Sequence, residues 1–186
     1  IQKGIDIVSF SGDKLLGAPQ AGIILGKASY IEAMKKNPLA RALRPDKFTL
    51  SALEATLLLY LDRDQAIREI PTLRMIFEDI RVLQRRARRL AKRIKSKFTN
   101  ITVTLVSTDA EVGGGTMPDI KIPSCGIALK PHTISTESLE QNLRALPVPV
   151  IGRIEKDILI LDMRTILVDD EALLIANLEK AFGNDR

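Results

Sequence analysis

The sequence predicts a mixed α/β fold in two parts joined by a long helix. Three observations carry that reading. Two short β-branched runs stand near the start, a long amphipathic helical stretch occupies the middle, and short strands alternate with helices to the end. The length, 186 residues, suits one large domain or two small ones. An apolar share of 45% is ordinary for a chain that buries a core, and it excludes wholesale disorder.

Ile5 to Phe10 is rich in Ile, Val and Phe and ends in Ser11-Gly12-Asp13, which predicts a buried strand entering a turn. Gly17 and Pro19 punctuate a loop, and Ala21 to Leu25 predicts a second buried strand. Ser29 is placed to cap a short helix with Glu32 as its capping-box partner, and Asn37-Pro38 stops it. A basic connection, Arg41 to Lys47, leads to an apolar helix starting at Thr49 or Ser51. Pro71 suits the first turn of a long helix reaching Lys97. On it Leu83, Ala87, Leu90 and Ile94 recur at the spacing of one buried face. Beyond it, Ile101 to Val106 alternates as a half-buried strand should. Further strands are expected at Ile127 to Leu129, Val148 to Ile154 and Ile158 to Leu161. Helices are expected at Thr136 to Leu146, capped by Ser135 or Thr136, and at Asp170 to Phe182, capped by Asp169. The result is a small α+β domain with helices on one side of a sheet. The boundaries that follow are 1–70, a basic linker helix over 71–98, and a small domain over 99–186.

Composition narrows the chemistry. One cysteine, Cys125, makes no internal disulfide and points to a reducing compartment. One histidine, His132, completes the supply, so this chain alone builds no Cys/His zinc cage, and no metal site is expected. No apolar run approaches the roughly 20 residues of a membrane span, so no membrane partner is expected. The first residue is Ile1, no secretion signal is visible, and the start resembles that of a piece cut from something longer. The excess of 28 basic over 23 acidic residues, net +5, permits an acidic partner such as nucleic acid without demanding one. Two Tyr, five Phe and no Trp argue against a base-stacking platform.

Three constellations remain. In Ser11-Gly12-Asp13-Lys14-Leu15-Leu16-Gly17, a lysine directly after a strand is held near a sheet edge, and a neutral amine there can attack an aldehyde. Ser11 can offer its hydroxyl to a phosphate. These are the needs of pyridoxal phosphate, although by pattern alone a solvated surface turn is the commoner outcome. Arg41 and Arg44, three apart, share a face if locally helical, and two guanidinium forks can grip an oxyanion; two solvated charges before Pro45 fit the spacing as well. Arg81, Arg85, Arg86, Arg88, Arg89, Lys92, Arg93, Lys95 and Lys97 form a basic helix without an acid, suited to RNA phosphates or simply to water. The remaining candidates read as structure: His132 at the surface, Cys125 in packing, Asp169-Asp170-Glu171 as a helix start, and Gly113-Gly114-Gly115 as a turn.

The longer string Ser9-Phe10-Ser11-Gly12-Asp13-Lys14-Leu15-Leu16-Gly17-Ala18-Pro19-Gln20-Ala21-Gly22-Ile23 resembles the cofactor-lysine segment of the bacterial selenocysteine synthases. These are L-seryl-tRNA(Sec) selenium transferases of the fold type I pyridoxal-phosphate class. The resemblance continues through Pro38 to Lys47, Leu53 to Leu57, Pro71 to Arg74 and Leu146 to Ile154, so it covers most of the chain. Ala18 departs from it, standing where the family usually has a second glycine.

The resemblance implies that residues 1–70 are the C-terminal part of the cofactor-binding catalytic domain. It implies that Lys14 forms the Schiff base with pyridoxal 5'-phosphate and then serves as base, with Ser11 as a phosphate ligand. Serine would lose its hydroxyl to give an aminoacrylyl group, to which selenium from selenophosphate adds, with Arg41 and Arg44 holding that donor. It further implies seryl-tRNA(Sec) as partner, a homo-oligomeric ring of dimers, a cytoplasmic location, and little activity for these residues alone. The rival expectations are another enzyme of the class, such as a sulfur-transferring lyase, and a basic RNA-binding or assembly module without chemistry.

Overall fold

The structure is a computed structural model, and it describes residues 4–113, 116–117 and 119–183. The chain divides into two compact units. One runs up to Phe77 and includes the short stretch from Val112, and the other comprises Glu78 to Glu111 and the residues from Asp119 onward.

In the first unit, β1 (Ile7–Ser11) pairs antiparallel with β2 (Gly22–Gly26), with Phe10 opposite Ile23. Both strands were expected to be buried, and both are largely exposed: Leu25 keeps 53% of its surface and Ile24 47%. Their composition is that of strands covered on both faces, and the described residues supply no such cover.

The short helix α1 (Ala28–Lys35) starts at Lys27 rather than at Ser29. Lys27 donates its backbone N–H to Asp6 O at 3.0 Å and accepts from Tyr30 and Ile31, so the cap falls where β2 ends. Glu32 accordingly bonds Lys35 instead of closing a capping box. Asn37 does stop α1, and its side chain then caps α2 (Pro38–Ala42), with Pro38 in the first turn. Helix α3 (Lys47–Leu59) begins earlier than Thr49 because Asp46 accepts from both the N–H and the hydroxyl of Thr49. A carboxylate at that position is a stronger acceptor than the hydroxyls weighed from the sequence. Helix α4 (Arg63–Glu69), capped by Asp62, was not anticipated. Helix α5 (Pro71–Phe77) opens at Pro71 as expected, and Ala66, Ile70 and Leu73 form a small core with Leu59.

The single helix expected over 71–97 is two. Asp79 adopts an extended backbone and accepts from Arg81 N at 2.7 Å, capping α6 (Ile80–Lys97) and separating it from α5. Helix α6 packs on the second unit's own sheet. That sheet has the order β3-β4-β6-β5, antiparallel throughout, from β3 (Ile101–Ala110), β4 (Ile122–Pro131), β5 (Arg153–Glu155) and β6 (Ile158–Asp162). Val148 to Gly152, expected as strand, stays irregular ahead of β5. Helix α7 (Thr136–Arg144) is capped by Ser135, and α8 (Glu171–Gly183) is the last of the described elements.

Period-2 alternation sends Ile101, Val103, Cys125, Ile127, Leu129, Leu159 and Leu161 to one face of this sheet. Leu83, Ala87, Leu90 and Ile94 of α6 meet them, each with no exposed surface, as their spacing requires. The Phe98 and Phe182 rings lie 5.7 Å apart at the edge of that core. Polar residues are buried in this unit too, Arg86 and Glu171 among them. Arg86 donates from Nε to Glu171 Oε1 at 2.9 Å and from a terminal nitrogen to Ile166 O at 2.6 Å. Glu171 stands at the helix start expected of it and is also a buried partner of α6. Cys125 is buried as anticipated, His132 is exposed and bonded to Thr102, and Gly114 and Gly115 lie outside the described residues.

Candidate active site

β1 ends at Ser11, and the chain turns sharply over residues 12–17 before reaching β2. Gly12 is buried, donates to Ala21 O at 2.8 Å and accepts from Ala18 N at 2.8 Å. A Cβ on Gly12 would stand 2.6 Å from the Pro19 carbonyl, so only glycine fits. Gly17 has φ +68° and donates to Lys14 O at 3.0 Å. A side chain there would be strained by that φ and would meet Ile70 Cγ2 at 2.5 Å. Two glycines and three backbone bonds thus hold Lys14 at the apex. Ala18, expected from the resemblance to be a glycine, contributes one of those bonds.

Lys14 is itself exposed, and it lines a cavity of about 650 Å³. Phe10, Ser11, Leu15, Leu16, Tyr60, Leu73, Ile76 and Phe77 share that cavity, so most of its wall is apolar. The Tyr60 hydroxyl donates to Leu16 O at 2.9 Å, tying the end of α3 to the turn, and partial burial pushes its phenol up. Ser11 donates its hydroxyl to Asp13 Oδ1. That bond, with help from the Asp13 N–H and the Lys14 charge, holds the Asp13 carboxyl below the usual carboxylate range. An amine, a hydroxyl, a carboxylate and an apolar recess are therefore gathered in one unit.

Of the residues predicted from sequence, the structure brings Lys14 and Ser11 together on this wall. Arg41 and Arg44 do not line it. They also do not share a helical face: Arg41 lies in the last turn of α2, and Arg44 lies past its C-cap, Leu43. Pro45 is the reason, because the residue before a proline is driven out of helical geometry. Both arginines are exposed, and neither makes a hydrogen bond or ion pair among the described residues. The sequence reading missed Tyr60 and Phe77, whose place on the cavity carries no local signal. It also missed Asp13 as the partner of Ser11, which the spacing of two did signal.

The family model described as L-seryl-tRNA selenium transferase matches residues 1–167. L-seryl-tRNA(Sec) selenium transferase of Desulfotalea psychrophila is 46% identical over 183 residues, which is 98% of this chain and 39% of that protein. The proteins of the same name from Geotalea uraniireducens and Clostridium botulinum are 47% and 44% identical over 180 residues each, again 39% of their length. The chain therefore spans about two fifths of the curated relatives it matches. Among solved structures, D-glucosaminate-6-phosphate ammonia-lyase aligns with a TM-score of 0.59 and 21% identity over 98% of this chain and 45% of that one, a likeness of fold. With a family match over most of its length and relatives at this identity, the chain belongs to the L-seryl-tRNA selenium transferase family.

Proposed function

We propose that this chain supplies the lysine-bearing part and the small C-terminal domain of a fold type I pyridoxal-phosphate enzyme. Its reaction is the conversion of L-seryl-tRNA(Sec) to L-selenocysteyl-tRNA(Sec) with selenophosphate. The observation that carries the reading is Lys14, held by a glycine-locked turn on the wall of an apolar cavity.

The residues present fit the cofactor. The cavity is within the usual range for ligand sites, its apolar wall suits a pyridine ring, and an amine and a hydroxyl stand on it. Bound there, pyridoxal phosphate supplies the electron sink that lets a seryl hydroxyl leave Cβ. Lys14 Nζ is the attachment point, and as the free amine it takes the proton from the seryl Cα. Ser11, whose hydroxyl bonds Asp13 here, would help hold the cofactor phosphate. Arg41 and Arg44 do not line this cavity and their side chains have no partners among the described residues; in this reading their guanidinium forks would hold the selenophosphate oxyanion across a subunit boundary.

In this reading residues 1–70 belong to the cofactor domain and 99–186 to the small domain; the stretch between them in the chain is α5 and α6, and α6 packs on the small domain's own sheet. The whole protein works in the cytoplasm as a homo-oligomer, a ring of dimers. The exposed side chains of Leu25, Leu43, Phe48 and Leu61 support further cover over the first unit in the whole protein. These 186 residues alone then have little activity.

The test is borohydride reduction of the full-length protein carrying this chain, followed by peptide mapping. Lys14 should carry the label, and Lys14→Ala should abolish it. A label on another lysine, or none at saturating cofactor, refutes the assignment. Arg41→Lys and Arg44→Lys should raise the KM for selenophosphate while cofactor absorbance stays unchanged. Unaltered donor kinetics reject the arginine roles.

A further inference from the structure

We infer that the outer face of α6 is a phosphate-binding surface for the RNA substrate, contacted through Arg85, Arg88, Lys92 and Lys95. The inference deepens the proposed function and rests on its identification of a transfer RNA as partner.

Helix α6 carries nine basic residues and no acidic one. Tertiary contacts sort them into two groups. Arg86 is buried against Glu171, Arg89 bonds the other oxygen of Glu171 at 3.1 Å, Arg81 pairs with Asp79 at 3.3 Å, and Lys97 pairs with Glu179 at 2.7 Å. Arg85, Arg88, Lys92, Arg93 and Lys95 are exposed, and none of them makes an ion pair among the described residues. Four of these, at steps of three, four and three, fall on one side of the helix over roughly 15 Å of its axis.

Such a row is unfavourable for the helix that bears it, because like charges three and four residues apart repel. Interleaved acids would give the same solubility without that repulsion. The helix macrodipole accounts for cations in the last turn but not for Arg85 and Arg88 in the first half. A partner that brings dense negative charge removes the repulsion. Lipid is disfavoured, because the apolar side of α6, Leu83, Ala87, Leu90 and Ile94, is wholly consumed by the core and leaves nothing to insert. A folded protein partner is disfavoured too, since the stripe has no exposed aromatic or aliphatic anchor. An RNA backbone needs neither, because phosphate contacts work through charge alone.

The experiment uses the full-length protein and an unacylated tRNA(Sec) transcript, with affinity measured by fluorescence anisotropy over a potassium chloride series. The variant combines Arg85→Gln, Arg88→Gln, Lys92→Gln and Lys95→Gln, and Lys14 labelling is read in parallel. The slope of log affinity against log salt should become shallower by about 3 to 4. Should the quadruple variant fail to fold, Arg85→Gln/Arg88→Gln and Lys92→Gln/Lys95→Gln should each lose about half of that. An unchanged slope with Lys14 labelling intact overturns the α6 surface alone. Parent protein that binds anionic vesicles or polyglutamate as tightly as the transcript overturns it as well. Absent labelling in a parent whose slope still falls on substitution overturns the catalytic reading and leaves the surface standing.

Discussion

Replacing Glu171 with alanine removes the only carboxylate that neutralises Arg86 among the described residues. The Arg86 side chain is 10% exposed and that of Glu171 4%, so the pair is desolvated and the orphaned guanidinium has no easy route to water. Breaking such a pair from one side costs about 3–5 kcal/mol. Arg86 keeps its bond to Ile166 O, which places the expected loss near the lower end, about 3 kcal/mol. Arg89 also loses its partner, but its side chain is 60% exposed, so Arg89→Ala should cost at most about 1 kcal/mol. The double variant Arg86→Met/Glu171→Leu should be within about 1 kcal/mol of the parent or more stable, because no charge is then left buried. Urea titration by far-UV circular dichroism measures these changes. Amide exchange at Leu90, Ile127 and Leu129 isolates the second unit, since the two units need not unfold together. A Glu171→Ala cost below about 1 kcal/mol, or a double variant as damaged as the single, would refute the reasoning.

Two further outcomes follow from the geometry. Gly17→Ala puts a side chain at φ +68° and 2.5 Å from Ile70 Cγ2, so the first unit should lose about 2–4 kcal/mol and Lys14 labelling should fall. Parent-like stability and labelling together would show that the turn is not held as described. Asp79, which caps α6, has its carboxyl held below the ordinary range first by the Arg81 N–H, then by the Arg81 side chain. A depressed folded value means that its contribution is complete above about pH 4 and is lost as the pH falls through that lower value. Acid denaturation of Asp79→Ala should accordingly show a smaller stability drop below pH 4 than the parent, and identical acid limbs would contradict it.

How much of this was legible beforehand depends on the range of the interaction. Asn37-Pro38, Pro71 and Ser135 act on the backbone within a few residues, and each sits at the helix boundary expected of it. The buried face of α6 was equally plain, because a period of 3.6 leaves one place for Leu83, Ala87, Leu90 and Ile94. The caps at Asp46 and Asp79 were misjudged, since several neighbouring side chains can accept the same N–H groups and geometry chooses among them. A periodic pattern also runs on through a capping break, which is why one helix was expected where there are two.

The basic helix marks the limit of reading charge from a list of residues. Arg86 and Arg88 look alike along the chain, but one is sealed against Glu171, 85 residues away, and the other faces solvent. The lysine turn divides in the same way. Its residue types and glycines lie within seven positions, so the chain alone announces a presented amine. The recess beside that amine is built by Tyr60, Leu73, Ile76 and Phe77, which are close to Lys14 only after folding. Local backbone rules travel with the sequence, whereas which distant side chains enclose a group depends on how the elements pack, and no short pattern encodes that.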